Sequence, residues 1–116
     1  MSPRKMKGDH TLLRIFIGES DMFGLKLLYL EVLERARQQG LAGCTVLRGI
    51  AGYGASSVIH TDNAFKLSSD LPIIIEIVDT SEHVEKFIKD VDLLLERGLV
   101  TKEMVNVHHY LHGKKN

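Results

Sequence analysis

Three glycines, Gly49, Gly52 and Gly54, crowd into six residues of the stretch "LRGIAGYGASSVIHTDNAFKLSS". Such a run can cradle a phosphate, because bare backbone N–H groups can reach an anion without interference from side chains. The spacing Gly49-x-x-x-x-Gly54 matches that of a P-loop, but alanine (Ala55) then stands where the lysine must meet the terminal phosphates. The following "VIHTDNAFKLSSDLP" has no helical stripe and runs into a proline, so the helix a P-loop feeds is missing as well. The dinucleotide fingerprint fails too, since Ser57 occupies the third glycine position after Gly52-Tyr53-Gly54. What survives is physical. Glycines ending a strand expose backbone to a ligand or a neighbouring chain, or they make a bulge and turn that free the loop beyond.

The remaining reactive side chains form no catalytic constellation. Ser56, Ser57, His60 and Asp62 are close in sequence, yet all lie on a loop, whereas a nucleophile must be held rigidly. Cys44 falls inside a predicted strand with no base nearby, which fits a small buried residue. Three of the six histidines, His108, His109 and His112, gather near the C-terminus. Successive strand residues point to opposite faces, so His108 and His109 are not expected to share one metal. No Cys or His spacing matches a zinc pattern, and no metal site is expected. Together with Lys114 and Lys115, these histidines form a basic cluster suited to anionic oxygens.

The totals narrow the classes. The chain has 116 residues, enough for one domain with a core, and 15 basic side chains balance 15 acidic ones. A neutral chain without a basic run lacks the footprint of a nucleic-acid binder. The single cysteine fits a reducing cytoplasm. No stretch approaches the roughly 20 apolar residues of a membrane helix, so direct membrane insertion is not expected. The basic start "MSPRKMKGDH" precedes only a short apolar run broken by Arg14, unlike a signal peptide.

Elements that could position these residues follow from periodicity. After a polar leader (1–10), "TLLRIFIG" alternates as a strand, with Leu13, Ile15 and Ile17 on one face and Leu12, Arg14 and Phe16 on the other. "ESDMFG" reads as a turn. Leu25, Leu28, Tyr29, Val32, Leu33 and Ala36 make a helical stripe that Gly40 stops. "GCTVLRGIAGYG" is a second strand, and "LPIIIEIVD" a third. Asp79, Thr80 and Ser81 are N-cap candidates, with Glu82 placed for a capping box. Val84, Phe87, Ile88, Val91 and Leu95 form a second stripe, closed by Gly98, and "EMVNVHHYL" is a last strand before a polar tail (113–116). The order β-α-β-β-α-β predicts an α+β, ferredoxin-like domain over 11–112, a four-stranded antiparallel sheet with two helices on one face.

Two helices leave one sheet face uncovered, and the first and third strands carry apolar residues on both faces. Burying roughly 500 Å² of that face is worth on the order of 12 kcal/mol gross, before association costs. An oligomer that packs it is expected.

The β-α-β-β-α-β order, "GCTVLRGIAGYG", the long loop after it and "LPIIIEIVD" resemble the PII family of signalling proteins, and within it a small PII-like branch known as a domain of unknown function. The resemblance runs from about residue 11 to 110. It implies a cytoplasmic homotrimer that binds an adenine nucleotide (ADP, ATP or an AMP-type ligand) between subunits as effector. The regulated partner would be a membrane transporter or an enzyme. Gly43, Cys44 and Thr45 match the strand start beside the base. Gly52, Tyr53 and Gly54 match the loop root near the phosphates, with Gly49 and Ala55 flanking it and His108 reaching from the last strand. The loop 55–69, including Ser56, Ser57, His60, Asp62, Asn63 and Lys66, would meet the partner.

Departures from the PII pattern are visible. The interval from Gly43 to the paired glycines is one residue longer, which implies a bulge. No tyrosine lies between Ala55 and Leu71, and "RGLVTKE" lacks the glycine-lysine phosphate motif. Histidines and Lys114 stand where PII proteins use C-terminal arginines, so a less charged nucleotide held partly by backbone is implied over a triphosphate. The alternatives are a ligand-independent trimeric interaction module, or a metal-responsive trimer of the same fold. An enzyme is not expected.

Overall fold

In the computed structural model the described residues are 4–54 and 70–112. The loop positions Ala55, Ser56, Ser57, His60, Asp62, Asn63 and Lys66, and the tail 113–116, lie outside them. The elements run β1 (Arg4–Gly18), β2 (Met22–Phe23), β3 (Lys26–Leu27), α1 (Leu28–Gln38), β4 (Thr45–Arg48), β5 (Pro72–Asp79), α2 (Ser81–Leu94) and β6 (Leu99–His112). The main sheet has the antiparallel order β4-β5-β1-β6. This is the expected ferredoxin-like arrangement, with a small β2–β3 hairpin replacing the simple turn.

Alternation decides which face each strand residue takes. Leu13, Ile15 and Ile17 of β1 sit opposite Ile77, Ile75 and Ile73 of β5, and all six are buried under the helices. Helix α1 contributes Leu28, Val32 and Ala36, while α2 contributes Val84, Phe87, Val91 and Leu94. Leu25, expected on the α1 stripe, stands before the helix in the hairpin and is 98% exposed.

The helix ends are specified locally. Gly40, at φ +72°, closes α1 in a Schellman arrangement: its N–H donates to Arg37 O, and the Leu41 N–H to Ala36 O. Thr80 is the N-cap of α2, its hydroxyl accepting from the His83 N–H. Since His83 then holds the third helical position, Glu82 makes no capping box. Gly98 does not close α2, which is capped at Leu95. At φ +127° it opens β6, where a Cβ would lie 2.7 Å from Phe16 O.

Two strands are longer than their apolar runs. β1 begins at Arg4, so most of the expected polar leader is strand paired with the end of β6. Within it Met6 and His10 are buried, while Lys5, Lys7 and Asp9 are exposed. Met6 faces Tyr110 and Gly8 faces Val107, which leaves His108 and His109 together opposite Lys7. That is a β-bulge with its extra residue in β6. In contrast, β4 is short and pairs without a break from Thr45 to Arg48, so no bulge interrupts these four residues.

The uncovered face is not uniformly apolar. Leu47, Ile74, Phe16 and Leu99 form one cross-strand apolar row, and Val78 pairs with Leu12. Between these rows Arg14 bridges two carboxylates, with Nε 2.8 Å from Glu76 and a guanidinium N–H 2.7 Å from Glu103. The hydrogen bond that Arg14 donates to Glu76 chiefly, with the added charge of both carboxylates, raises the Arg14 pKa above its ordinary value despite an opposing desolvation effect.

Candidate functional site

A pocket of about 370 Å³ opens on the uncovered face, at the end of the sheet where β4 starts and β6 finishes. Its floor is Leu12, Glu76 and Val78, from the β1 and β5 faces turned away from the helices. Ala42, Gly43, Cys44 and Thr45 form one lip, and Met6, Val107, His109 and Tyr110 form the other. The volume falls in the range of small-molecule sites. Among the described residues the lining carries one carboxylate and one imidazole but no Lys or Arg, and the carboxylate is already paired with Arg14.

The first lip is held by its backbone. The Ala42 N–H donates to Asp79 Oδ2 at 2.9 Å, and the Tyr110 hydroxyl donates to Ala42 O at 2.9 Å. Asp79 is fully buried, with Oδ1 also accepting from the Thr80 N–H at 2.6 Å and pairing with Arg4. Burial pushes its carboxyl up. The hydrogen bonds from Arg4, Ala42, His83 and Thr80 together outweigh this and hold it below the ordinary carboxylate value. His83 Nδ1 lies 2.9 Å from both Asp79 Oδ1 and an Arg4 nitrogen, so it can donate to the first or accept from the second, one at a time.

Cys44 packs against the core from the pocket lip and is half-buried. Burial pushes its thiol up to about 11, the opposite of an activated nucleophile.

The sequence-expected site residues divide into two groups. Gly43, Cys44 and Thr45 meet in the pocket. Gly49, Gly52, Tyr53 and Gly54 do not line it and lie beyond the other end of β4. There Gly49 donates its N–H to Pro72 O at 2.8 Å, and a Cβ on Gly49 would stand 2.7 Å from the Pro72 ring. Gly52, at φ +145°, approaches the same ring. Tyr53 is 80% exposed.

From the histidine cluster it is His109, not the expected His108, that lines the pocket. The bulge also undoes the expectation that the two rings point apart, since their centroids are only 4.9 Å from each other. Among the described residues no group of three His, Cys, Asp or Glu side chains could hold a metal, and no helix is long and apolar enough to cross a membrane.

Sequence reasoning missed Met6, Ala42 and Tyr110. Alternation through "RKMKGDH" was the available signal for Met6, with Arg4, Met6, Gly8 and His10 in phase and charges between them.

Residues 10–107 match the DUF190 family, described as "Uncharacterized ACR, COG1993". A UPF0166 protein of Aquifex aeolicus is 43% identical over 96 residues, covering 83% of this chain and 90% of its own length. A UPF0166 protein of Methanocaldococcus jannaschii is 36% identical over 90 residues, covering 77% of this chain and 82% of its own. Among solved structures, CPII from Thiomonas intermedia K12, bound to ADP, AMP and acetate, superposes with a TM-score of 0.56 at 14% identity, covering 94% of this chain and 93% of that one. A protein from Thermus thermophilus described as PII-like signaling superposes with a TM-score of 0.52 at 18% identity, covering 92% and 91%. The chain therefore belongs to the DUF190 (UPF0166) family and carries the PII-like form of the ferredoxin-like fold.

Proposed function

We propose that this protein is a trimeric, cytoplasmic, PII-like regulator in which an adenine nucleotide binds at the pocket beside Gly43–Thr45, between subunits. The observation that carries this reading is the pocket itself. Its lip is the strand start expected beside a base, and it opens on the sheet face that the helices leave bare. The PII-like fold, and a fold neighbour bound to ADP and AMP, support the choice of ligand class.

The lining favours the uncharged end of such a ligand. With no Lys or Arg among the described lining residues, base and ribose suit it better than a triphosphate, and ADP or an AMP-type nucleotide suits it better than ATP. His109 or a neighbouring subunit would meet the phosphates. The loop 55–69 would carry the signal to a transporter or enzyme, in proportion to the ligand's differential affinity for its two states. Burial keeps the Cys44 thiol protonated and Glu76 is paired with Arg14, which is in keeping with a regulator.

Titration calorimetry with ATP, ADP, AMP and cyclic AMP tests the reading; folded protein that binds none of them removes it. Light scattering tests the trimer. Leu47→Asp with Leu99→Asp, at the exposed ends of the apolar row, is expected to yield monomer.

A second reading draws on the glycine root. Gly49 and Gly52 are each accounted for by contact with Pro72, so the loop can be anchored without any nucleotide. A ligand-independent interaction module of the same fold predicts partner capture that is indifferent to added ADP.

A further inference from the structure

Three strand ends converge on the segment between α1 and β4. β1 sends Arg4, whose guanidinium donates to Gly40 O at 3.2 Å and pairs with Asp79. β5 sends Asp79, which accepts the Ala42 N–H at 2.9 Å, and β6 sends Tyr110, which donates to Ala42 O at 2.9 Å. Both backbone polar groups of Ala42 are therefore held by side chains from strands distant in sequence. Ala42 immediately precedes Gly43, Cys44 and Thr45, and all four line the pocket.

We propose that Asp79 and Tyr110 are positioning residues that clamp Ala42 and thereby preset the Gly43–Thr45 lip for its ligand. The ligand side of this inference rests on the nucleotide reading above; the clamp itself does not. Glycine at position 43 gives the lip no steric restraint, since a Cβ there would meet nothing within 4 Å. The shape of the lip must then come from its neighbour. Asp79 is suited to this because it does not line the pocket and is buried by protein alone, with its acceptor capacity taken up by Arg4, Ala42, Thr80 and His83. Tyr110 both lines the pocket and holds the lip, so the far wall and the near wall share one hydrogen bond.

The test combines amide hydrogen exchange of residues 42–45 in the ligand-free full chain with calorimetric titration of ADP. Wild type is compared with Asp79→Asn and Tyr110→Phe. The clamp predicts faster exchange at 42–45 in both variants, by about fivefold to tenfold for one lost hydrogen bond, with protection in α2 and β5 retained. ADP affinity is expected to fall by a similar factor, since the free lip must be ordered on binding. Unchanged exchange at 42–45 in folded variants overturns the clamp. Faster exchange with unchanged ADP affinity overturns its role in presetting the site. Wild type that binds no adenine nucleotide overturns the nucleotide reading, and the clamp is then judged on exchange alone. If Asp79→Asn does not fold, Tyr110→Phe, which removes the bond to Ala42 O, is read by the same criteria.

Discussion

At its first residue β4 emerges from a segment whose backbone is gripped by Asp79 and Tyr110, with Gly43 standing in open space. At its last residue it meets Gly49, where bare backbone is pressed against the ring of Pro72. Both ends are glycine-flanked, yet one is shaped by polar side chains and the other by close approach. The lesson is that a cluster of glycines does not by itself mark a ligand. Gly49 and Gly52 have a neighbour in the same chain that explains them, while the pocket forms at the end with fewer glycines.

The contrast can be broken most sharply at Asp79. Replacing it with alanine strips buried donors of their acceptor and is expected to cost about 3 kcal/mol, read by urea unfolding. A cost under about 0.5 kcal/mol would mean that the polar end is not held as described. The same carboxyl gives a pH signature. Its folded pKa lies below the ordinary value, so its contribution is complete above the unfolded value of about 3.9 and is lost as pH falls through the lower folded value. Wild type is expected to lose stability below about pH 4 more steeply than Asp79→Asn, in denaturant titrations across that range.

At the steric end the effects are smaller. Gly49→Ala drives a Cβ into Pro72 and is expected to cost about 1–3 kcal/mol, whereas Gly43→Ala should stay within about 0.5 kcal/mol in the same assay. Equal costs at the two positions would erase the distinction. Least affected is Cys44. With its thiol near 11, only about one molecule in a thousand carries thiolate at pH 8. Alkylation by iodoacetamide in folded protein is expected to be far slower than in urea.

Much of the fold was legible because burial imposes simple periods. Ile73, Ile75 and Ile77 alternate, Val84, Phe87 and Val91 recur at helical spacing, and those residues are indeed the core. The same alternation carried one step further reaches Asp79, and it points inward as the rule requires. Its charge made it look like a cap, and partners remote in sequence, Arg4 and the Ala42 N–H, help explain how an acid can continue an apolar face. Pairing across the whole chain, as between Arg4 and the end of β6, leaves no mark in local composition. Nor does the use of Gly49, since Pro72 is remote in sequence and adjacent in space. The Gly43–Thr45 lip could be placed from sequence, but its partners on β6 could not, because a bulge resets which side chains face which way.

That bulge has a consequence for how this protein tolerates change in length. Upstream of it, odd-numbered β6 residues such as Val107 share the pocket side. Downstream, it is the even-numbered Tyr110, paired with Met6, that does so. The extra residue at His108–His109 thus acts as a parity switch in a code that otherwise reads every second letter. Removing either histidine would take out the extra residue, restore regular alternation and leave Tyr110 opposite Met6 on the pocket side. One residue fewer is therefore a change that this segment can absorb.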